Sequence, residues 1–360
     1  MEHYAGINVS LELSSVCIVD ATGTIVKETK VESDPGALVS FFQGLGIPIT
    51  RIGIEAGPLS QWLFAALMQA GFETVLLETR HVKAALSAMT VKTDRKDARG
   101  IAQLLRMGWF RPVHCKSPGS QEVRALLVAR KLLLGKLRDV ELSLRGVLRG
   151  FGLKMGHVTR KGFEERVREL CAGQAMLEQI ADAMLSARAS LHKEFDKLHT
   201  AMLAIVRTDV VCKQLMSVPG VGPVVAITFK TAIDDPTRIK KSKSVGALFG
   251  LTPRKYQSGE TDVTGGITCV GDAMVREALY EAANSLLNVT HFSALKRWGW
   301  TWPNAAARNG RRSLWLARSA SSCIACGSME RHSVGRRRRR WRRRSRPRDL
   351  IEQMDEIGAS

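Results

Sequence analysis

Three carboxylates and one serine in this chain have the types and spacing needed for phosphate chemistry. Glu55 closes an apolar stretch in Gly53-Ile54-Glu55-Ala56-Gly57, where its small neighbours leave room for a ligand. Asp94 and Asp97 lie in Lys92-Thr93-Asp94-Arg95-Lys96-Asp97-Ala98, and an i, i+3 spacing puts both on one face if the segment is helical. Carboxylates held at strand ends and on one helix face can cage divalent cations, Mg²⁺ or Mn²⁺. Such ions activate an oxygen nucleophile and offset charge on the leaving oxygen in phosphodiester cleavage. Taken singly, each acid reads more simply as a helix cap or a solvated side chain. Ser258 stands beside Gly259, with Arg254 and Lys255 just upstream. A serine in that company has the parts for attack on a phosphate, the cations offsetting charge on the phosphorus oxygens. Taken alone, a Ser-Gly pair is a turn. Further upstream, Ser217-Val218-Pro219-Gly220-Val221-Gly222-Pro223 reads as a tight turn leading into a helix. There Gly220 and Gly222 would present backbone N–H groups to a DNA phosphate, as in half of a helix-hairpin-helix motif.

These groups need elements to hold them. Residues 4–10, 15–19 and 25–31 alternate as three short strands, with a turn at residues 20–23. Residues 35–45 read as a helix ended by Gly46, residues 51–54 as a fourth strand, residues 61–69 as a helix closed by Gly71, and residues 74–77 as a fifth strand. Three strands, a helix, a strand, a helix and a strand is the order of an α/β ribonuclease H-like fold, which half of an actin-like ATPase shares. Residues 120–150 and 172–207 are long helical stretches. Leu126, Leu133, Val140 and Val147 recur at heptad spacing in the first, and Leu177, Met184, Leu191, Leu198 and Ile205 in the second. Each stripe calls for another helix, either within the chain as a hairpin or from a second copy as a coiled coil. Residues 213–290 form a compact region with two glycine-rich turns.

The chain has 360 residues and a net charge of +20, a surplus that suits a polyanionic partner, nucleic acid first among them. Residues 299–360 hold 15 arginines against 5 acids, so half of the surplus sits in that last segment. No long uncharged apolar run suggests a membrane helix, and the first residues do not read as a signal peptide. Seven cysteines without a disulfide-framework spacing fit a reducing cytoplasm.

Three segments, Gly6-Ile7-Asn8-Val9-Ser10, Ile54-Glu55-Ala56-Gly57 and Lys92 to Arg99, together resemble the motifs of the DEDD transposases of bacterial insertion sequences. The resemblance implies a RuvC-like N-terminal domain whose metal ligands are Asn8, Glu55, Asp94 and Asp97. It departs from the family at Asn8, where the family has Asp, and a neutral amide cannot fully replace a carboxylate bridging two cations. The stretch Gly250 to Gly259, continued through residues 271–283, resembles the family's C-terminal domain, in which a serine joins covalently to DNA; Ser258 is the matching residue. Gly266 and Cys269 stand where the family often has Arg and Lys. The resemblance runs over residues 4–297. It implies DNA as substrate, a structured noncoding guide RNA, and several active sites acting together. That last need favours a homo-oligomer held by the heptad stripes.

The expected organisation is a RuvC-like nuclease domain over residues 1–115, a helical coiled-coil linker over 116–212, and a mainly α serine transposase domain over 213–298. An Arg-rich tail follows over 299–360. With permissible codons, residues 322–331 read in a shifted frame as Leu-His-Arg-Met-Trp-Ile-Asp-Gly-Thr, an ending of the family's type. The tail is therefore expected to be out of frame and disordered, and its Cys323-x-x-Cys326 pair is not a zinc site. Two other functions fit parts of the chain: an inactive nucleic-acid-binding remnant of such a transposase, favoured by Asn8, and a RuvC-type junction nuclease. The second gives no use to Ser258. A sugar kinase of actin-like fold does not suit the charge.

Overall fold

The computed structural model describes residues 2–288, apart from residues 88, 90, 240, 242 and 243. The expectations for the tail, and for the end of the C-terminal region, fall outside the described residues. The described residues divide into two compact units, with the boundary between Ser117 and Pro118.

The first unit contains β1 (His3–Asn8), β2 (Leu13–Asp20), β3 (Ile25–Glu32), α1 (Pro35–Gln43), β4 (Arg51–Glu55), α2 (Ser60–Gln69), β5 (Thr74–Leu77), α3 (Thr79–Leu86), α4 (Asp94–Arg106) and β6 (Pro112–Val113). The sheet order is β3-β2-β1-β4-β5-β6. β2 runs antiparallel to both β3 and β1, β4 joins β1 in parallel, β5 joins β4 in parallel, and β6 closes the edge antiparallel to β5. That mixed order is the ribonuclease H-like topology expected from the first 77 residues.

Strand alternation divides the sheet's two faces. Ala5, Ile7, Ile52 and Ile54 are fully buried with Leu38 and Phe42 of α1 and Leu63 and Leu67 of α2. Each isoleucine, leucine or phenylalanine among them contributes about 1.5–3 kcal/mol on burial. The opposite face carries Gly6 and Asn8 on β1 and Gly53 and Glu55 on β4, and there α4 docks. Its approach is close: a Cβ on Gly6 would stand 2.2 Å from the Ala98 carbonyl oxygen and 2.4 Å from the Ala102 nitrogen. A Cβ on Gly53 would meet Leu105 Cδ1 at 2.5 Å. Only glycine lets the helix backbone rest on the strand here.

The second unit contains α5 (Pro118–Gly150), α6 (Phe163–Cys171), α7 (Ala175–Thr208), α8 (Val210–Leu215), α9 (Pro223–Ile233), α10 (Ser244–Leu248), β7 (Pro253–Ser258), β8 (Thr261–Ile267) and α11 (Ala273–Asn288). α5 and α7 pack on each other within one chain. Leu144 and Leu148 of α5 share a core with Leu177, Ala181 and Leu185 of α7 and with Phe163 and Val167 of α6. Arg188 is buried in the same seam. Its Nε donates to Glu141 Oε1 at 2.7 Å, and its guanidinium lies 4.7 Å from the Phe163 ring centre. Farther along, Leu127, Met202 and Val206 join one core with α9 and α11. Of the nine heptad-stripe residues only Leu177 is buried; Leu126, Val140, Val147, Met184 and Ile205 are half-buried against these cores.

Candidate active site

Gly6-x-Asn8 and Gly53-x-Glu55 are the same pattern on two adjacent parallel strands. Ile7 pairs with Ile54, so Asn8 and Glu55 end neighbouring strands side by side on the α4 face. α4 begins at Asp94, capped by Thr93, whose hydroxyl accepts from the Lys96 N–H at 3.2 Å. Asp94 and Asp97 therefore both occupy the first helical turn, the i, i+3 face expected from their spacing. Carboxylates there also gain from the helix dipole, a stabilising role that needs no ligand.

Two contacts tie the end of β1 to this turn. Asn8 Nδ2 donates to Asp94 Oδ1 at 3.3 Å and to the Asp94 carbonyl at 3.4 Å. Glu55 is half-buried; burial and then the charge of Asp97 push its carboxyl above the ordinary value, while Lys92 pulls it down. Glu55 and Asp97 line one cleft of about 300 Å³, together with Thr79, Lys83, Leu86 and Lys92. Asn8 with Asp94 and Glu55 with Asp97 are thus two pairs at the C-terminal ends of the central strands β1 and β4. Three carboxylates and an amide carbonyl are hard oxygen donors suited to a cation such as Mg²⁺. Among the described residues, no three acidic, histidine or cysteine side chains converge on one point.

Glu28, which no motif singles out, fixes the turn from the other side. Its side chain is 8% exposed and pairs with Arg95 and with Arg99, the latter at 3.0 Å. Burial would raise the Glu28 carboxyl, but hydrogen bonds and charge from Arg95 and Arg99 hold it below the ordinary range. Cys17 lies beneath; burial, with Glu28 beside it, pushes its thiol up to about 12, so it is an inert thiol of the core. A strand acid followed by two helix arginines one turn apart was the only available signal.

In the second unit, Ser258 is the last residue of β7, paired with Thr261 across a two-residue turn. Gly259 opens that turn at φ +55°, as a type II′ hairpin requires. Ser258 is exposed, and among the described residues no hydrogen bond engages its hydroxyl. Alternation along β7 puts Arg254, Tyr256 and Ser258 on one face and Lys255 on the other. Lys255 Nζ pairs there with Asp262 at 3.1 Å. Of the two cations expected beside Ser258, Arg254 shares its face and Lys255 does not.

Gly220 and Gly222 form the turn between α8 and α9. Gly220 has φ +88°, and a Cβ there would lie 2.6 Å from the Ala282 carbonyl oxygen of α11. Packing against α11 therefore explains this glycine without a phosphate. Asp209 braces the helix pair: its carboxylate accepts from the Cys212 N–H at 2.8 Å and pairs with Lys230 of α9. No helix among the described residues is long and apolar enough to cross a membrane.

Comparison with known proteins bears on both units. Residues 5–152 match a transposase family of the DEDD type, and residues 212–299 match the family described as transposase IS116/IS110/IS902. The transposase for insertion sequence element IS1111A of Coxiella burnetii is 25% identical over 288 residues, 78% of this chain and 77% of the relative. The transposase y4pF/y4sB of Sinorhizobium fredii is 27% identical over 256 residues, 69% of this chain and 64% of the relative. A Thermus thermophilus RuvC solved with a Holliday junction substrate aligns at 14% identity and TM-score 0.26, over 31% of this chain and all of its own. Two family matches that together cover well over half of the sequence, with relatives aligned across most of it, lead to one conclusion: the chain belongs to the IS116/IS110/IS902 family of transposases.

Proposed function

We propose that this chain excises and inserts its own insertion sequence, with Ser258 as the nucleophile and the strand ends and helix turn that carry Asn8, Glu55, Asp94 and Asp97 as a metal-dependent acidic site. In the serine step the Ser258 oxygen bonds to phosphorus and one bond from phosphorus to a deoxyribose oxygen breaks. The serine proton passes to solvent and the released sugar oxygen takes one up. The phosphoserine link keeps the energy of the phosphodiester, so a DNA hydroxyl can attack it, reseal the strand and regenerate serine. Glu55, Asp94, Asp97 and the Asn8 carbonyl would hold the divalent cation, which supplies charge neutralisation and an activated oxygen when bound. Arg254 neutralises phosphate charge on the serine's face, and Lys83 and Lys92 do the same at the acidic cleft. Lys255, Gly220 and Gly222 contact DNA backbone. A guide RNA, a homo-oligomer and action at the cytoplasmic nucleoid complete the reading.

The observation that supports it is that Asn8 and Glu55 lie at adjacent ends of parallel strands, with Asn8 bonded to Asp94 and Glu55 lining one cleft with Asp97. The test is a gel assay for a covalent protein–DNA adduct, with element-end DNA, RNA transcribed from the element's flanks and Mg²⁺. An adduct that Ser258→Ala abolishes is the expected result. Its absence from both the native chain and Asn8→Asp would overturn the reading.

A second reading has its own observation. The Asn8 amide donates to Asp94, so one contact between these two residues is made without a cation. On that reading the native chain binds nucleic acid and cuts poorly, and Asn8→Asp cuts faster.

A further inference from the structure

Beside Ser258 the hairpin carries an aromatic ring that no described residue covers. Tyr256 is 67% exposed and its cross-strand partner Val263 is 55% exposed. Every residue of β7 is exposed, and among the described residues the sheet has two strands. A lone two-stranded ribbon is marginal in water, and an apolar pair on its surface adds no stability unless something covers it.

The phase of the strand says which face that pair occupies. Tyr256 lies two residues before Ser258, so both project from one side, and at the usual strand rise their positions are about 7 Å apart. Arg254 follows two residues farther back on the same side. Among the described residues Arg254 makes no ion pair, whereas Lys255 on the reverse side is neutralised by Asp262. Glu260 sits in the turn, beyond the paired positions. Ser258's face thus presents a hydroxyl, an aromatic ring and a free cation in a row, on a chain of net charge +20. Hydroxyl for phosphorus, ring for base and guanidinium for phosphate is the order of groups along a nucleic-acid strand.

We propose that Tyr256 stacks on a nucleobase next to the phosphate that Ser258 attacks, with Val263 widening the platform and Arg254 on the adjoining backbone. The ring would hold the strand in register, which makes Tyr256 a positioning residue; this rests on Ser258 being the nucleophile. Stacking is sequence-tolerant, so the preference conferred is for an unstacked base rather than for a particular one.

The experiment uses the full chain and single-stranded oligonucleotides from the element end, with 2-aminopurine placed at each position in turn. Binding is expected to quench fluorescence at one or two adjacent positions. Tyr256→Phe should keep the quenching. Tyr256→Leu should abolish it and weaken binding roughly tenfold, the size of one base–aromatic stack. Val263→Thr should reduce it. Equal quenching and affinity in Tyr256→Leu would overturn the proposal, as would no quenched position, or a change only in light-scattering mass, which would mark the face as a contact between copies. Ser258→Ala should quench as the native chain does. Intact quenching with no covalent adduct in any variant would count against the serine and leave the stacking role in place.

Discussion

The side-chain nitrogen of Asn8 lies 3.3 Å from Asp94 Oδ1, a hydrogen bond that joins the end of β1 to the first residue of α4. Aspartate at position 8 would put two like charges there. Without divalent ions, Asn8→Asp should be less stable than the native chain by about 1–3 kcal/mol, the cost of a lost bond to a charged group. Mg²⁺ should then raise the melting temperature of Asn8→Asp more than that of the native chain. Equal Mg²⁺ responses would mean that Asn8 does not limit metal binding.

Glu28 anchors the arginines that flank the acidic turn. Glu28→Gln should cost about 2 kcal/mol in urea unfolding, because two hydrogen bonds to charged groups weaken while both arginines can still reach water. Glu28→Asp, which keeps the charge on a shorter side chain, should recover part of the loss. If neither variant loses stability, the clamp does not hold α4.

Acid should loosen both units. The Glu28 and Asp209 carboxyls are held below their ordinary values of 4.5 and 3.8 by Arg95 and Arg99, and by Lys230 and the Cys212 N–H, against the opposing effect of burial. Folded-state values below the unfolded ones mean stability that is present above the ordinary values and is lost as pH falls through the lowered ones. Thermal melts should therefore show the native chain's advantage over Glu28→Gln and Asp209→Asn at pH 6, and that advantage shrinking below about pH 4. An advantage that grew on acidification would reverse the sign of the argument.

Gly6→Ala should destabilise by about 3 kcal/mol or more, since overpacking at this contact has only main-chain atoms to displace. Gly46→Ala is the contrast: nothing lies within 4 Å of its Cβ position, and only its φ of +67° resists the change. Denaturant midpoints should separate the two, with the larger loss at Gly6.

Much of this was legible in the sequence. The alternation of residues 4 to 31, with the helix and strand patterns from residue 35 to 77, laid out β1 to β5 and the two helices between them, but not α3 or β6. The Asp94 and Asp97 spacing gave their shared face. The rest depended on contacts between distant segments or on strand phase. Glu28 meets Arg95 and Arg99 67 and 71 positions later in the chain, across two elements. Gly220 is explained by Ala282. Lys255 faces away from Ser258 because a strand alternates, which proximity in sequence conceals. The heptad stripe through Leu177 and Met184 is only part of the buried seam, which also passes through Arg188. A charged residue does not register as core until Glu141 and Phe163 are seen around it.

Where α4 meets β1, main chain rests on main chain with a glycine between them. The opposite face of the sheet is padded by leucine and phenylalanine layers that can give. Hydrostatic pressure should therefore squeeze the α1 and α2 side first and leave the gap beneath α4 nearly unchanged. The distance from strand ends to helix turn is set by hard atomic contact, so the acidic site can keep its dimensions while the core side chains around it drift in sequence, and a single base change at codon 8 would return a carboxylate to a frame still shaped for it.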